Sequence, residues 1–363
     1  MSGAAGPAAA VILAAGQGTR MRSSLPKVVH EVAGRPMIAH VVRTAREAGA
    51  DPIVVVVGHG AEAVRAALEG VPVRFAEQAE QLGTGHALAC ARPALRDHAG
   101  PTFVLNGDGP LLRPATLRTM ATVHGAGAGM GSEIGAGADS GPGAGAGAGA
   151  LRDADEAGMT LATVRVDAPH GLGRIVRNAA GELTAIVEEA DADEATRRIH
   201  EVNPGVYLVD GGVWDRLARL GSDNAQNETY VTDLPAAYLA AGRPVRTVEM
   251  LDPEEALAAN DRAQLARLER VARMRIARRW MADGVTMLAP EATFLDDDVV
   301  LARDVVLEPF VMLTGGTTVG EGARVGAGAH LASCVVAPGA VVAPHVVARG
   351  ARFEGASGQP LSR

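Results

Sequence analysis

The chain has 363 residues, 47% of them hydrophobic and only 3% aromatic, with a formal net charge of -8. That length buries a large core without disulfide or metal staples, and the acidic balance argues against nucleic acid or an anionic membrane as the main partner. No apolar run approaches the ~20 residues of a membrane span, Cys90 and Cys334 lie in no metal-ligand spacing, and MSGAAGPAAA lacks the pattern of a signal peptide, so a cytoplasmic location is expected.

Val11–Ala15 reads as an apolar strand running into Gly16-Gln17-Gly18-Thr19-Arg20-Met21. Two glycines after a strand let backbone N–H groups approach anionic oxygens. No Gly-Lys-Ser/Thr follows, and Met21 stands where the dinucleotide fingerprint has its third glycine. Arg20, and Lys27 behind Pro26, are cations suited to a triphosphate; taken alone, the stretch reads equally as a tight turn with two exposed cations. Pro36 opens a helix with Met37, Ile38, Val41, Val42 and Ala45 on one face. A strand over Ile53–Val57, a helix from Ala61 to Leu68, a strand near Val71–Phe75, a helix from about Thr84 to Ala91 and a strand over Thr102–Leu105 follow.

Apolar strands alternating with helices predict a mostly parallel sheet covered on both faces, with ligands beyond the carboxyl ends of its strands. Gly16-Gln17-Gly18 and Gly107-Asp108-Gly109 both occupy such ends. Asp108 by itself is either a turn aspartate or an oxygen ligand for Mg2+. Residues 125–150, rich in alternating Gly and Ala, offer little to bury and read as a flexible surface insertion, with order resuming near Leu161–Val166. Ala263–Trp280 reads as a connecting helix, with Leu265, Leu268, Val271 and Ile276 near one side and Asn260-Asp261 most simply its N-cap.

From Val299 the grammar changes. Small or apolar residues recur every sixth position from Val299 to Val347, and again two residues later from Leu301 to Ala343. That period predicts a left-handed parallel β-helix of about three coils, with His330 and His345 as isolated residues on it.

The order LAAGQGTRM, LPKVVHEVAGRPM, QAEQLGTGHA, NGDGPL, GLGRIV, IVEE, VNPGVY, NAQNETYVTD and AANDRAQLARLERV resembles the bacterial N-acetylglucosamine-1-phosphate uridylyltransferases, the N-terminal half of a bifunctional enzyme. The resemblance implies a Rossmann-like α/β nucleotidyltransferase domain over residues 1–262, a connecting helix over 263–284, a β-helix over 285–352 and a tail over 353–363. It implies that Leu13, Ala14, Gly16 and Gly18 line the nucleoside and phosphates, that Gln78 and Gly83 read the uracil edge, and that Thr84 supports the nucleotide. Arg20 and Lys27 would neutralise the triphosphate, Asp108 with Asn260 would hold Mg2+, and Gly173, Glu188 and Asn203 would frame the amino-sugar. Asn224, Gln226, Glu228 and Tyr230 belong to a segment near the sugar side, and the resemblance assigns them no separate roles.

The expected substrates are therefore UTP and N-acetylglucosamine 1-phosphate, with a homotrimer through the β-helix. Asn106, Gly109 and Pro204 depart from the family pattern on the sugar and metal side. The repeat fades after Val347, so acetyltransferase activity is not expected. Another sugar phosphate or nucleoside triphosphate is the first alternative, and a non-catalytic regulatory subunit with the same domains is the second.

Overall fold

A computed structural model describes residues 7–126 and 158–355. The Gly/Ala-rich stretch falls almost wholly outside the described residues, as does the end of the tail. The chain divides into two compact units, one formed within Met1–Thr19, Ser23–Val28 and Ile38–Leu257, the other within Arg20–Arg22, Val29–Met37 and Ala258–Arg363.

In chain order the elements are β1 (Ala9–Leu13), the hairpin strands β2 (Glu31–Val32) and β3 (Arg35–Pro36), α1 (Met37–Glu47), β4 (Ile53–Val57), α2 (Ala61–Ala67), β5 (Arg74–Glu77), α3 (Thr84–Cys90), β6 (Thr102–Asn106) and α4 (Pro114–Gly125). Then come β7 (Met159–Arg165), β8 (Gly173–Arg177), β9 (Leu183–Val187), α5 (Glu194–Arg197), β10 (Glu201–Asn203), β11 (Val206–Val209), α6 (Val213–Leu217), α7 (Leu234–Ala240), β12 (Val245–Glu249) and α8 (Arg262–Ala282).

The first unit is built on a ten-stranded sheet of order β5-β4-β1-β6-β11-β7-β10-β8-β9, with β12 beside β7. Strands β5, β4, β1 and β6 are mutually parallel, whereas β11 runs against both β6 and β7, and β10 against both β7 and β8. The parallel block is where the sequence is plainest, since every residue of IVVVV in β4 is buried, as a strand covered on both faces requires. The sheet is thus mixed: a Rossmann-like parallel block continued by antiparallel strands in the second half of the domain.

The second unit contains α8, capped by the Asp261 carboxylate, which accepts the Gln264 N–H at 2.8 Å. That side chain acts as the helix cap the sequence suggests. The β2–β3 hairpin belongs to this unit too, turning at Ala33 and Gly34 with φ of 50° and 73°. A left-handed alanine costs about 1–2 kcal/mol. Ala33 is held there from both sides: its N–H donates to Glu269 Oε2 at 2.6 Å and its carbonyl accepts the Asp297 N–H at 2.9 Å.

From Thr286 the chain coils through three four-stranded parallel sheets, giving a three-sided β-helix of four turns. The six-residue step does not run to Val347. The buried series Val299, Val305, Val311, Thr317, Ala323 and Ala329 continues at Cys334 and Ala340, one residue earlier than the expected Val335 and Val341. The companion series likewise passes from Leu331 to Val336 and Val342 rather than to Ala337 and Ala343, so Val335 and Val347 face outward. Strand pairing places the lost residue between the Thr314–Ala332 and Thr318–Val335 pairs. The corner there is Ser333-Cys334 where the turn below has Gly315-Gly316-Thr317. It closes because Ser333 takes φ 53°, and the buried Thr317 hydroxyl accepts the Cys334 N–H at 3.2 Å.

Candidate active site

The parallel block of the first unit positions the site. The Gly107 N–H donates to the Leu13 carbonyl at 2.9 Å, and a Cβ on Gly107 would stand 3.0 Å from that oxygen and 2.9 Å from Ile38 Cδ1. Glycine is therefore required where the β6 loop closes on the end of β1, and it delivers Asp108 there. The Asp108 carboxylate accepts from Lys27 Nζ at 2.5 Å, with side-chain exposures of 13% and 18%. Gly18, at φ 62°, lies where a Cβ would be 2.7 Å from Lys27 Cβ. Gly16 has open space around it, so its backbone faces solvent.

One strand further, the Gln78 N–H donates to the Val57 carbonyl at 2.8 Å, fixing this residue at the carboxyl end of β4. Its side-chain Nε2 donates to the Gly83 carbonyl at 3.0 Å. Gly83 takes φ 102° with the Thr229 carbonyl where a Cβ would fall, 2.5 Å away. The Thr84 hydroxyl accepts the Val231 N–H at 3.0 Å, and the Gly85 N–H donates to the Thr229 carbonyl at 2.7 Å. The 224–233 segment is thereby tied to the start of α3. Within it, Asn224 Oδ1 accepts from the N–H groups of Gln226 and Glu228, and the Tyr230 hydroxyl donates to Gln226 Oε1 at 2.6 Å.

The antiparallel strands bring the remaining residues together. Asn203 pairs with Gly173 between β10 and β8, and a Cβ on Gly173 would lie 3.4 Å from Glu188 Oε1. Asn203 Nδ2 donates to the Tyr207 hydroxyl at 2.6 Å, and its Oδ1 accepts the Gly205 N–H at 3.0 Å. Burial raises the Glu188 pKa, and the charges of Asp191 and Asp233 push it further in the same direction, against a hydrogen bond from Thr232 and the charge of Arg174. Tyr230 is pushed up to about 12 by burial and then by the carboxylates around it, so it is a neutral hydroxyl at physiological pH.

Leu13, Ala14, Gly16, Gly18, Lys27, Gln78, Gly83, Thr84, Asp108, Gly173, Glu188 and Asn203 all belong to the first unit. Arg20 and Asn260 belong to the second: Arg20 is exposed in a short 3-10 helix over Thr19–Met21, and the Asn260 N–H donates to Gln264 Oε1 at 2.7 Å.

Residues 10–283 match the model of the MobA-like NTP transferase domain. The chain belongs to that family. This NTP transferase is 43% identical over 295 residues to the bifunctional protein GlmU of Pelobacter propionicus, covering 81% of the chain and 58% of that protein. It is 45% identical to the protein of the same name from Brevibacillus brevis over 291 residues, 80% of the chain and 57% of the relative. The GlmU of Anaeromyxobacter sp. strain K is 45% identical over 299 residues, 81% and 55% respectively. The transferase thus spans somewhat more than half the length of the curated relatives it matches.

Sequence reasoning missed Arg174. Its guanidinium is 1% exposed, donates to the carbonyls of Leu172 and Arg197, and pairs with Glu189 Oε2 at 3.1 Å. Glu189 in turn accepts the Gly171 N–H at 2.5 Å, so one arginine holds the loop before Gly173 to the strand end that carries Glu188. The signal available was an arginine directly after Gly173, ahead of the apolar pair Ile175-Val176. Among the described residues no helix is long and apolar enough to cross a membrane, and no group of three or more His, Cys, Asp or Glu is placed to hold a metal.

Proposed function

We propose that this transferase moves a uridylyl group from UTP to N-acetylglucosamine 1-phosphate, forming UDP-N-acetylglucosamine and pyrophosphate in the cytoplasm for cell-envelope precursors. The observation that carries this reading is convergence. Gln78 with Gly83, Lys27 with Asp108, and Gly173 with Glu188 and Asn203 come from separate segments and gather on one domain, in a chain whose relatives are bifunctional GlmU proteins.

The sugar phosphate is already ionised at neutral pH, so it attacks the α-phosphorus in line without a general base, and pyrophosphate departs. The obstacle is repulsion between two anions, ~1 kcal/mol per pair of unit charges at 4 Å in water and ~4 kcal/mol at an effective dielectric of 20. Lys27 answers it as a movable point charge and the Gly16–Gly18 backbone as a fixed set of N–H donors. Arg20 is the further cation that the resemblance implies. The rest of the rate comes from aligning the reactants.

Asp108 suits a divalent metal. It is one hard, partly accessible carboxylate that already faces a cation, and Mg2+ takes one or two carboxylates plus waters and substrate phosphates rather than an all-protein cage. Asp108, with the Asn260 that the resemblance implies, would hold Mg2+, which would supply charge neutralisation on the leaving pyrophosphate. Gly173, Glu188 and Asn203 orient the amino-sugar.

A pyrophosphate-release panel pairing UTP, CTP, ATP and dTTP with N-acetylglucosamine, glucose and galactosamine 1-phosphates tests the reading. UTP with N-acetylglucosamine 1-phosphate is expected to give the highest kcat/KM, and another best pair overturns the assignment. A homotrimer formed through the β-helix belongs to the same reading and is checked by mass photometry.

A further inference from the structure

We propose that His86 is a positioning residue that locks the Gln78 side-chain amide with its oxygen toward the nucleotide base, so that the pocket selects a pyrimidine whose ring N3 carries a proton. The inference deepens the uridylyl reading and rests on it.

The chain of reasoning begins at the Gly83 carbonyl. A carbonyl oxygen only accepts, so the Gln78 atom 3.0 Å from it must be the amide nitrogen. The same nitrogen lies 3.1 Å from His86 Nδ1. An NH2 group donates, so Nδ1 carries the lone pair and the imidazole proton sits on Nε2. Nε2 faces Cys90 Sγ at 3.9 Å, one turn further along α3, and sulfur is a weak acceptor suited to that proton. Burial pushes the Cys90 thiol up, which keeps it uncharged beside the ring.

Both hydrogens of the Gln78 amide are then engaged, one by Gly83 and one by His86. Gln78 is only 4% exposed and its backbone is tied to Val57, so the amide cannot turn over without losing both bonds. Its Oε1 is left as the group for a ligand. Uracil offers an N3–H donor to such an oxygen, whereas cytosine offers an unprotonated N3. A flipped amide would reverse this preference and set its oxygen against the Gly83 carbonyl. His86 touches no reacting atom in this scheme and acts through Gln78 alone.

The test uses the full chain with His86→Leu, which removes the acceptor, and His86→Asn, which puts an amide oxygen near the position of Nδ1. Pyrophosphate release is measured with UTP or CTP varied and N-acetylglucosamine 1-phosphate saturating. His86→Leu is expected to raise the KM for UTP about tenfold, the order of one hydrogen bond, and to lower the UTP-to-CTP ratio of kcat/KM by at least as much. The KM for the sugar phosphate stays within about twofold, and His86→Asn recovers most of the loss.

A UTP-preferring enzyme whose His86→Leu variant keeps both its KM for UTP and its base ratio overturns the inference and leaves the uridylyl reading standing. A wild-type enzyme with no preference for UTP over CTP overturns both. If His86→Leu does not fold, the 15N spectrum of the wild-type imidazole decides: a bare Nδ1 supports the lock, and a proton on Nδ1 overturns it.

Discussion

Replacing Arg174 by methionine keeps the length and packing of the stem and deletes the guanidinium. The structure sets the cost. The carbonyls of Leu172 and Arg197 each lose a donor, at about 1 kcal/mol apiece for groups that are only partly covered. Glu189 loses its partner but is 32% exposed, so water and screening reduce that share to below about 1 kcal/mol. The sum is about 2–3 kcal/mol, or a fall in Tm of roughly 5–10 °C for a domain of this size.

The kinetic effect should be selective. Arg174 holds residues 171–172 against Glu189, and the neighbouring Gly173 and Glu188 are the proposed sugar contacts. The KM for N-acetylglucosamine 1-phosphate is expected to rise about tenfold, with the KM for UTP changed less than about twofold. Arg174→Lys should recover stability only in part, because an ammonium cannot fork across the same three acceptors. Differential scanning fluorimetry and steady-state kinetics on both variants check this. An unchanged Tm, or equal rises in both KM values, would refute the argument that the buried Arg174 guanidinium shapes the sugar side.

Two further outcomes follow from backbone and burial. Gly83→Ala forces a Cβ to 2.5 Å from the Thr229 carbonyl at φ 102°, at a cost of about 1–3 kcal/mol in backbone strain alone, and should raise the KM for UTP at least about tenfold. Gly181→Ala, at φ 82° with nothing within 4 Å, is the kinetic control and should leave that KM unchanged. His124 is held down at about 4, chiefly by burial and then by Arg246 and Arg243 against the charge of Asp210. Between about 6.5 and that value the unfolded chain binds a proton that the fold does not, so stability drops as pH falls, by roughly 3 kcal/mol in all. In urea titrations at pH 7 and 4.5, His124→Gln should lose about 2–3 kcal/mol less than wild type, and equal losses would contradict this origin.

Legibility in the sequence followed physical locality. The IVVVV strand, the glycines beside Asp108 and the hexad period are dense local patterns, and each marks its element directly. The partnership of Asn203 with Gly173 and Glu188 is not local, since it depends on the antiparallel register of β10 on β8. The Ser333-Cys334 corner escaped for a different reason: Val335 and Val341 are as apolar as the buried Cys334 and Ala340 beside them, so a slip of one residue leaves the hydrophobic pattern almost intact. The β2–β3 hairpin was hidden because its alanine turn carries no Asn-Gly or Gly-Gly signal, and its support comes from Glu269 and Asp297 far along the chain.

Uridylyl transfer at the Lys27–Asp108 pair is tested most directly by pyrophosphate release from UTP and N-acetylglucosamine 1-phosphate, with Mg2+ or EDTA, for wild type, Lys27→Ala and Asp108→Ala. The wild type should require Mg2+, and each variant should lose about 100-fold or more in kcat/KM while keeping the wild-type Tm within a few degrees. An Asp108→Ala enzyme that releases pyrophosphate at the wild-type rate would contradict the account.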